Sequence, residues 1–193
     1  MDGLHDPSIH HRRSVRLRDY DYGQVGAYFI TLCAHDRACL FGDIVDGEVR
    51  LGEYGHIVNE EWAYSPLLRP NVTLDAYVVM PNHVHSVVVI TNALLDRTQG
   101  VYQYAPTLDA RGHPLRSPSQ TIGALVRGFK AAVTTRINEA RGTPRAPVWQ
   151  RNYYEHIIRD DANLDRIRAY IDGNPGRWAE DDENPARARQ LRP

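Results

Sequence analysis

The chain is poor in lysine, in cysteine and in long apolar runs. Lys130 is its sole lysine among 23 basic residues, so positive charge is carried as guanidinium, the group suited to bidentate contact with phosphate or carboxylate. Cys33 and Cys39 are its only cysteines. That number and spacing exclude a disulfide framework and a cysteine zinc site, and leave a reduced structural role. No apolar stretch reaches bilayer length and no secretory h-region is present, which excludes a spanning helix and reads as a cytoplasmic protein. The 14 glycines form no phosphate-binding loop, and no internal repeat is found.

What is present suits one ordinary domain. A chain of 193 residues that is 42% hydrophobic has enough apolar material for a single core. Its net charge of −1 hides segregation: nine basic residues face two acids between positions 111 and 159, and twelve acids face four arginines between 19 and 110. Clustered arginine suggests a phosphate-bearing partner. Residues 1–18, with Arg12, Arg13, Arg16 and Arg18, read as a basic arm that orders on a polyanion. Residues 19–178 read as the domain, with a polar loop insertion at 92–118, and residues 179–193 read as a polar C-terminal tail.

Within the domain, strands are expected at 27–34, 72–79 and 83–91, with a short pair at 40–44 and 48–51 around the Asp46-Gly47 turn. A further strand is expected over 148–158. Helices are expected at 55–65, from a Ser119 cap to Ala140, and from Asp161 to the Asn174-Pro175 stop. On the second helix, Arg127, Lys130, Thr134 and Arg141 fall within about 60° of one another, either a solvated flank or a nucleic-acid-binding face.

The chemistry-bearing motif is Met80-Pro81-Asn82-His83-Val84-His85, running into the β-branched segment 86–90. Strand residues two apart share a face, so His83 and His85 present two imidazoles side by side. They are either ordinary strand histidines or half of a metal site. Arg166, Tyr170 and Asn174, spaced by four, form a polar stripe on the last helix. Two imidazoles and an amide oxygen would leave a divalent cation open to substrate oxygens, and a neighbouring tyrosine would be a nucleophile. By chemistry Tyr153, Tyr154 and Tyr170 all qualify.

The His-x-His motif resembles that of the HUH single-tyrosine transposases, the insertion-sequence-200-like enzymes, and most closely their REP-associated relatives. Tyr170-Ile171-Asp172-Gly173-Asn174-Pro175 resembles the nucleophile helix of that branch. Trp149-Gln150, the run from Tyr154 to Arg159, Arg12 to Ser14, Asp19 to Tyr22 and Gly26 to Phe29 extend the likeness over about residues 12–178. The resemblance implies an α+β fold, a central antiparallel sheet flanked by helices in the ferredoxin-like, RRM-like manner of HUH endonucleases. It implies metal-dependent cleavage and rejoining of single-stranded or hairpin DNA, through a 5′-phosphotyrosine, in DNA transposition or REP-element processing. Tyr170 would be the nucleophile. His83, His85 and Asn174 would be ligands of Mg²⁺ or Mn²⁺, although the family's third ligand is often glutamine or glutamate. Arg12, Arg13, Arg16, Arg18, Arg127, Lys130 and Arg166 would touch nucleic acid. The protein would be a monomer or a homodimer, with no membrane partner. Two other functions compete: a non-catalytic single-strand-binding relative that no longer needs Tyr170, and a metallohydrolase that uses water. The latter calls for an acidic ligand, for which Asp75 is the candidate near the histidines.

Overall fold

The computed structural model describes residues 25–91 and 121–190; the arm residues Arg12, Arg13, Arg16 and Arg18 and the loop 92–118 lie outside them. The chain order is β1 (Gly26–Cys33), β2 (Gly42–Val45), β3 (Glu48–Leu51), α1 (Glu53–Leu68), β4 (Val72–Val79), β5 (His83–Ile90), α2 (Ile122–Ala140), β6 (Tyr154–Ile158), α3 (Asp161–Gly173) and α4 (Pro185–Gln190). Short 3₁₀ turns occupy His35–Arg37 and Pro175–Glu180. Four strands form one antiparallel sheet in the order β4-β5-β1-β6. With α1 and α2 as crossovers this is the β-α-β-β-α-β arrangement of ferredoxin-like folds. The α+β expectation is met. The hairpin β2–β3 is an addition between β1 and α1; Asp46 and Gly47 both have positive φ, as a tight Asp-Gly hairpin turn requires.

Alternation along the central strands sorts the two faces. Tyr28, Ile30 and Leu32 of β1 and Val84, Val88 and Ile90 of β5 point to one side. There they meet Ile57, Val58 and Trp62 of α1 and Leu125, Phe129 and Val133 of α2. Trp62 is fully buried and donates its indole N–H to Ser86 Oγ at 3.1 Å, so the one hydroxyl on that face of β5 is satisfied. A Cβ at Gly55 would run into the Phe41 carbonyl, so α1 can lie this close to the chain before β2 only with glycine there. The opposite face carries a smaller cluster: Phe29, Val87, Val89 and Ile158 under Leu164, Ile167 and Ile171 of α3. Arg168 of α3 grips Asp75 of β4 with two hydrogen bonds, 2.7 and 2.6 Å, and ties α3 to the sheet edge.

Several boundaries differ from expectation. α1 runs three residues further, to Leu68, with Pro66 inside its last turn. The cap of α2 is Thr121, whose Oγ1 accepts from Ala124 N at 3.2 Å; Ser119 lies outside the described residues. The expected strand 148–158 is paired only over Tyr154–Ile158, because Trp149 makes a single bridge to Ala34 and the chain then turns away. That detour is held by α2. Lys130 Nζ donates to the carbonyls of Gln150 and Asn152 at 2.8 and 3.0 Å, and Arg141 reaches the Ala146 and Pro147 carbonyls. No helix among the described residues is long and apolar enough to cross a membrane.

Candidate active site

β5 places His83 and His85 on the α3 side of the sheet, as a period of two requires, and both are buried. Their rings meet edge to face with centroids 4.4 Å apart. Register with β1 puts Cys33 opposite His83 and Thr31 opposite His85. Thr31 Oγ1 lies 2.9 Å from His85 Nδ1, and Asn82 Oδ1 lies 2.9 Å from His83 Nδ1. Each imidazole is therefore held from behind through Nδ1 and turns Nε2 toward α3, the arrangement in which a histidine ligand is oriented by an outer partner.

α3 brings Tyr170 to this edge. Its hydroxyl is 3.1 Å from His85 Nε2, across 85 residues of sequence. The ring packs edge-on against Phe29 and His85, and 39% of the residue stays exposed. One turn later Asn174, the C-cap of α3, is almost wholly buried. The chain then folds back through the 3₁₀ turn, and Asp181 arrives with its Oδ2 4.0 Å from His83 Nε2. Asn174 donates to the same carboxylate oxygen at 3.1 Å, which fixes the amide with its oxygen turned the other way.

Two acceptors are stranded by this geometry. His83 Nε2 and Asn174 Oδ1 are buried and neither meets a partner in hydrogen-bond geometry among the described residues, although the Asn174 side chain lies close enough to His83 to favour its protonated form. Orphaned lone pairs are costly unless something occupies them. Together with His85 and Asp181 they form a mixed nitrogen and oxygen set, and the His83, His85 and Asp181 ligand atoms lie within 4.8 Å of one another. Neighbouring donors on one divalent ion, at bond lengths of about 2.1 Å, stand roughly 3 to 3.4 Å apart, so this set would have to close by about an ångström or more to share a cation. Burial pushes the His83 imidazole down to about 4, against the opposing pull of the Asp181 carboxylate. The ring is thus neutral, as a ligand must be.

The structure gathers His83, His85, Tyr170 and Asn174, all named from sequence. Arg166 is exposed on α3, one turn before Tyr170. Arg127 is exposed on α2, whereas Lys130 beside it spends its ammonium on main-chain carbonyls. Of the other tyrosines, Tyr154 faces Thr31 and packs edge-on to Phe29, while Tyr153 packs on the larger core beneath Lys130. Asp75 is engaged by Arg168, away from the histidines. Asp181 escaped the sequence reading because an acidic run, Glu180 to Glu183, looks like a solvated tail and carries no periodicity. Thr31 escaped it because its role depends on what lies across the strand, and Asn82 because the carbonyls that orient it, those of Arg37 and Glu183, are remote in sequence.

No family model matches the chain. Among solved structures it is similar to a REP-associated tyrosine transposase bound to a REP hairpin, at 17% identity, over 90% of this chain and 86% of that one, with a TM-score of 0.49. It is also similar to a candidate transposase from Deinococcus radiodurans R1, at 19% identity, over 81% of this chain and 95% of that one, with a TM-score of 0.40. An uncharacterized protein of Haemophilus influenzae is 41% identical over 181 residues, which span 94% of this chain and 97% of that protein. At that identity over nearly the full length of both, the chain belongs to one protein family with the Haemophilus protein.

Proposed function

We propose that this protein is a metal-dependent, single-tyrosine enzyme that cleaves and rejoins single-stranded DNA. The observation that carries the reading is the hydroxyl of Tyr170 resting 3.1 Å from His85 Nε2, beside a second imidazole and two oxygen donors. The likeness of the His-x-His and Tyr170–Pro175 segments to the HUH transposases supplies the DNA substrate. His83, His85, Asn174 and Asp181 would hold the cation, Mn²⁺ or Mg²⁺, whose part is Lewis-acid polarisation of a phosphodiester oxygen. Nitrogen ligands favour Mn²⁺ over Mg²⁺.

The chain's own chemistry is nucleophilic. Tyr170 Oη gives its proton to solvent, which reaches the exposed side of the ring, and attacks phosphorus. The P–O3′ bond breaks, and the leaving oxygen takes up a proton as a free 3′-hydroxyl. The 5′-phosphate is then joined to the tyrosine. Because the phosphodiester energy is kept, a 3′-hydroxyl can reverse the step and release Tyr170 with no nucleotide cofactor. Exposed Arg127 and Arg166, with the basic arm, are the proposed phosphate contacts.

A second reading has one observation behind it. The acidic donor that a water-using metallohydrolase needs stands at Asp181. One experiment separates the two. The protein is incubated with Mn²⁺ and single-stranded DNA labelled at either end, and adducts are mapped by denaturing gel and mass spectrometry. The tyrosine reading expects an adduct at Tyr170 that Tyr170→Phe and EDTA both abolish. Cleavage with no adduct would favour water, and an adduct at Tyr153 or Tyr154 would overturn the choice of nucleophile.

A further inference from the structure

We propose that Asn82 is the positioning residue of this site. Its carboxamide decides which nitrogen of His83 carries the proton and ties that ring to the turn bearing Asp181. The inference rests on the metal reading above and adds to it the residue that makes His83 a ligand.

Asn82 is fully buried immediately before β5, and every polar atom of its side chain is used. Its Nδ2 donates to the Arg37 carbonyl at 2.9 Å and to the Glu183 carbonyl at 2.8 Å. Both amide hydrogens are thereby committed to main-chain acceptors, and a flipped amide would set its oxygen against two carbonyl oxygens. Oδ1 is therefore left facing His83 Nδ1 at 2.9 Å. An amide oxygen only accepts, so Nδ1 is the protonated nitrogen and Nε2 keeps its lone pair. The other tautomer would oppose two lone pairs in a site closed to water. His83 Nε2, so prepared, is the buried acceptor that lacks a hydrogen bond among the described residues and faces Asp181.

The second half of the role concerns the oxygen donors. Glu183 receives Asn82 through its carbonyl and gives its own N–H to Asp181 Oδ1 at 2.7 Å. One carboxamide thus holds the nitrogen donor and the carboxylate donor in register, although Asn82 and Glu183 are 101 residues apart. A residue that served packing alone would need no such orientation.

The test uses the full-length protein labelled with ¹⁵N-histidine. Long-range ¹H–¹⁵N spectra of the wild type should show His83 with a protonated Nδ1 and a bare Nε2; an Nε2–H tautomer would overturn the proposal without any variant. Asn82→Ala should mix the tautomers and weaken Mn²⁺ binding, followed by loss of the free-ion EPR signal, about 10- to 100-fold. Asn82→Asp keeps an acceptor opposite Nδ1, so it should hold the tautomer while melting at lower temperature, because two donors are gone. If Asn82→Ala does not fold, the wild-type spectrum and Asn82→Asp decide. A folded Asn82→Ala protein with unchanged tautomer and Mn²⁺ affinity within twofold of wild type would refute the role. Should the wild type bind no Mn²⁺, the metal reading falls, and the tautomer spectra still judge Asn82.

Discussion

At the scale of single residues, the site is a matter of which lone pairs point where. That His83 and His85 share a face was legible from a two-residue spacing in a β-branched run, and that Tyr170 and Asn174 share a flank from a spacing of four. What supports them was not legible, since Thr31 acts across strand pairing and Asn82 is oriented by the carbonyls of Arg37 and Glu183, far away in the sequence. His83 also supports a prediction about pH. The unfolded chain takes up a proton at the ordinary imidazole value of 6.5, whereas the folded ring refuses it until about 4. Folding is therefore least penalised above pH 6.5, and stability drains away as pH falls from 6.5 to about 4. In EDTA, urea midpoints at pH 7.5, 6 and 5 should fall more steeply for the wild type than for His83→Gln. The difference should approach about 1.4 kcal/mol per pH unit. Parallel slopes would mean that the folded ring takes up its proton as readily as the unfolded one.

At the scale of elements, α2 shows how a charge pattern can mislead. Its basic stripe was visible in sequence, and its use was not. Lys130 and Arg141 hold the detour between Ala146 and Asn152, and Arg136 is paired with Glu60 and Glu61 of α1. Arg127 remains exposed on the same helix. The two neighbours should consequently separate by experiment. Lys130→Met should lower unfolding free energy by about 2 kcal/mol, the scale of hydrogen bonds from a charged donor. Arg127→Ala should leave the melting temperature alone and flatten the salt dependence of single-stranded DNA binding by ~0.7 for each phosphate no longer neutralised. If Lys130→Met melts like the wild type and alters the salt slope instead, the carbonyl clamp is incidental and the lysine belongs to the DNA face.

At the scale of the whole molecule, the order of strands and helices was legible from their patterns, and the antiparallel sheet flanked by helices was implied by the family resemblance. The return of the chain after Trp178 onto β5 was not legible, because its anchors, the Asn82 and Asn174 carboxamides and the Arg37–Glu183 ion pair, compose no motif. The fold joins distant parts of the chain at one atom, His85 Nε2, which meets Tyr170 from 85 residues away. In the tautomer a ligand needs, with the proton on Nδ1 facing Thr31 Oγ1, that nitrogen has a single lone pair. A phenol and a cation therefore draw on the same vacancy, and only molecules in which Tyr170 has let go are competent to load the ion. Apparent affinity is the intrinsic affinity multiplied by that competent fraction. Removing the phenolic oxygen should raise the fraction to one. Tyr170→Phe, inert in strand cleavage, should then bind Mn²⁺ about two- to tenfold more tightly than the wild type, the value of one neutral hydrogen bond. Equal or weaker binding in a Mn²⁺ titration would assign the Nε2 lone pair to the tyrosine alone. The side chain proposed to do the chemistry would thus also set how much metal must be present before the chemistry begins.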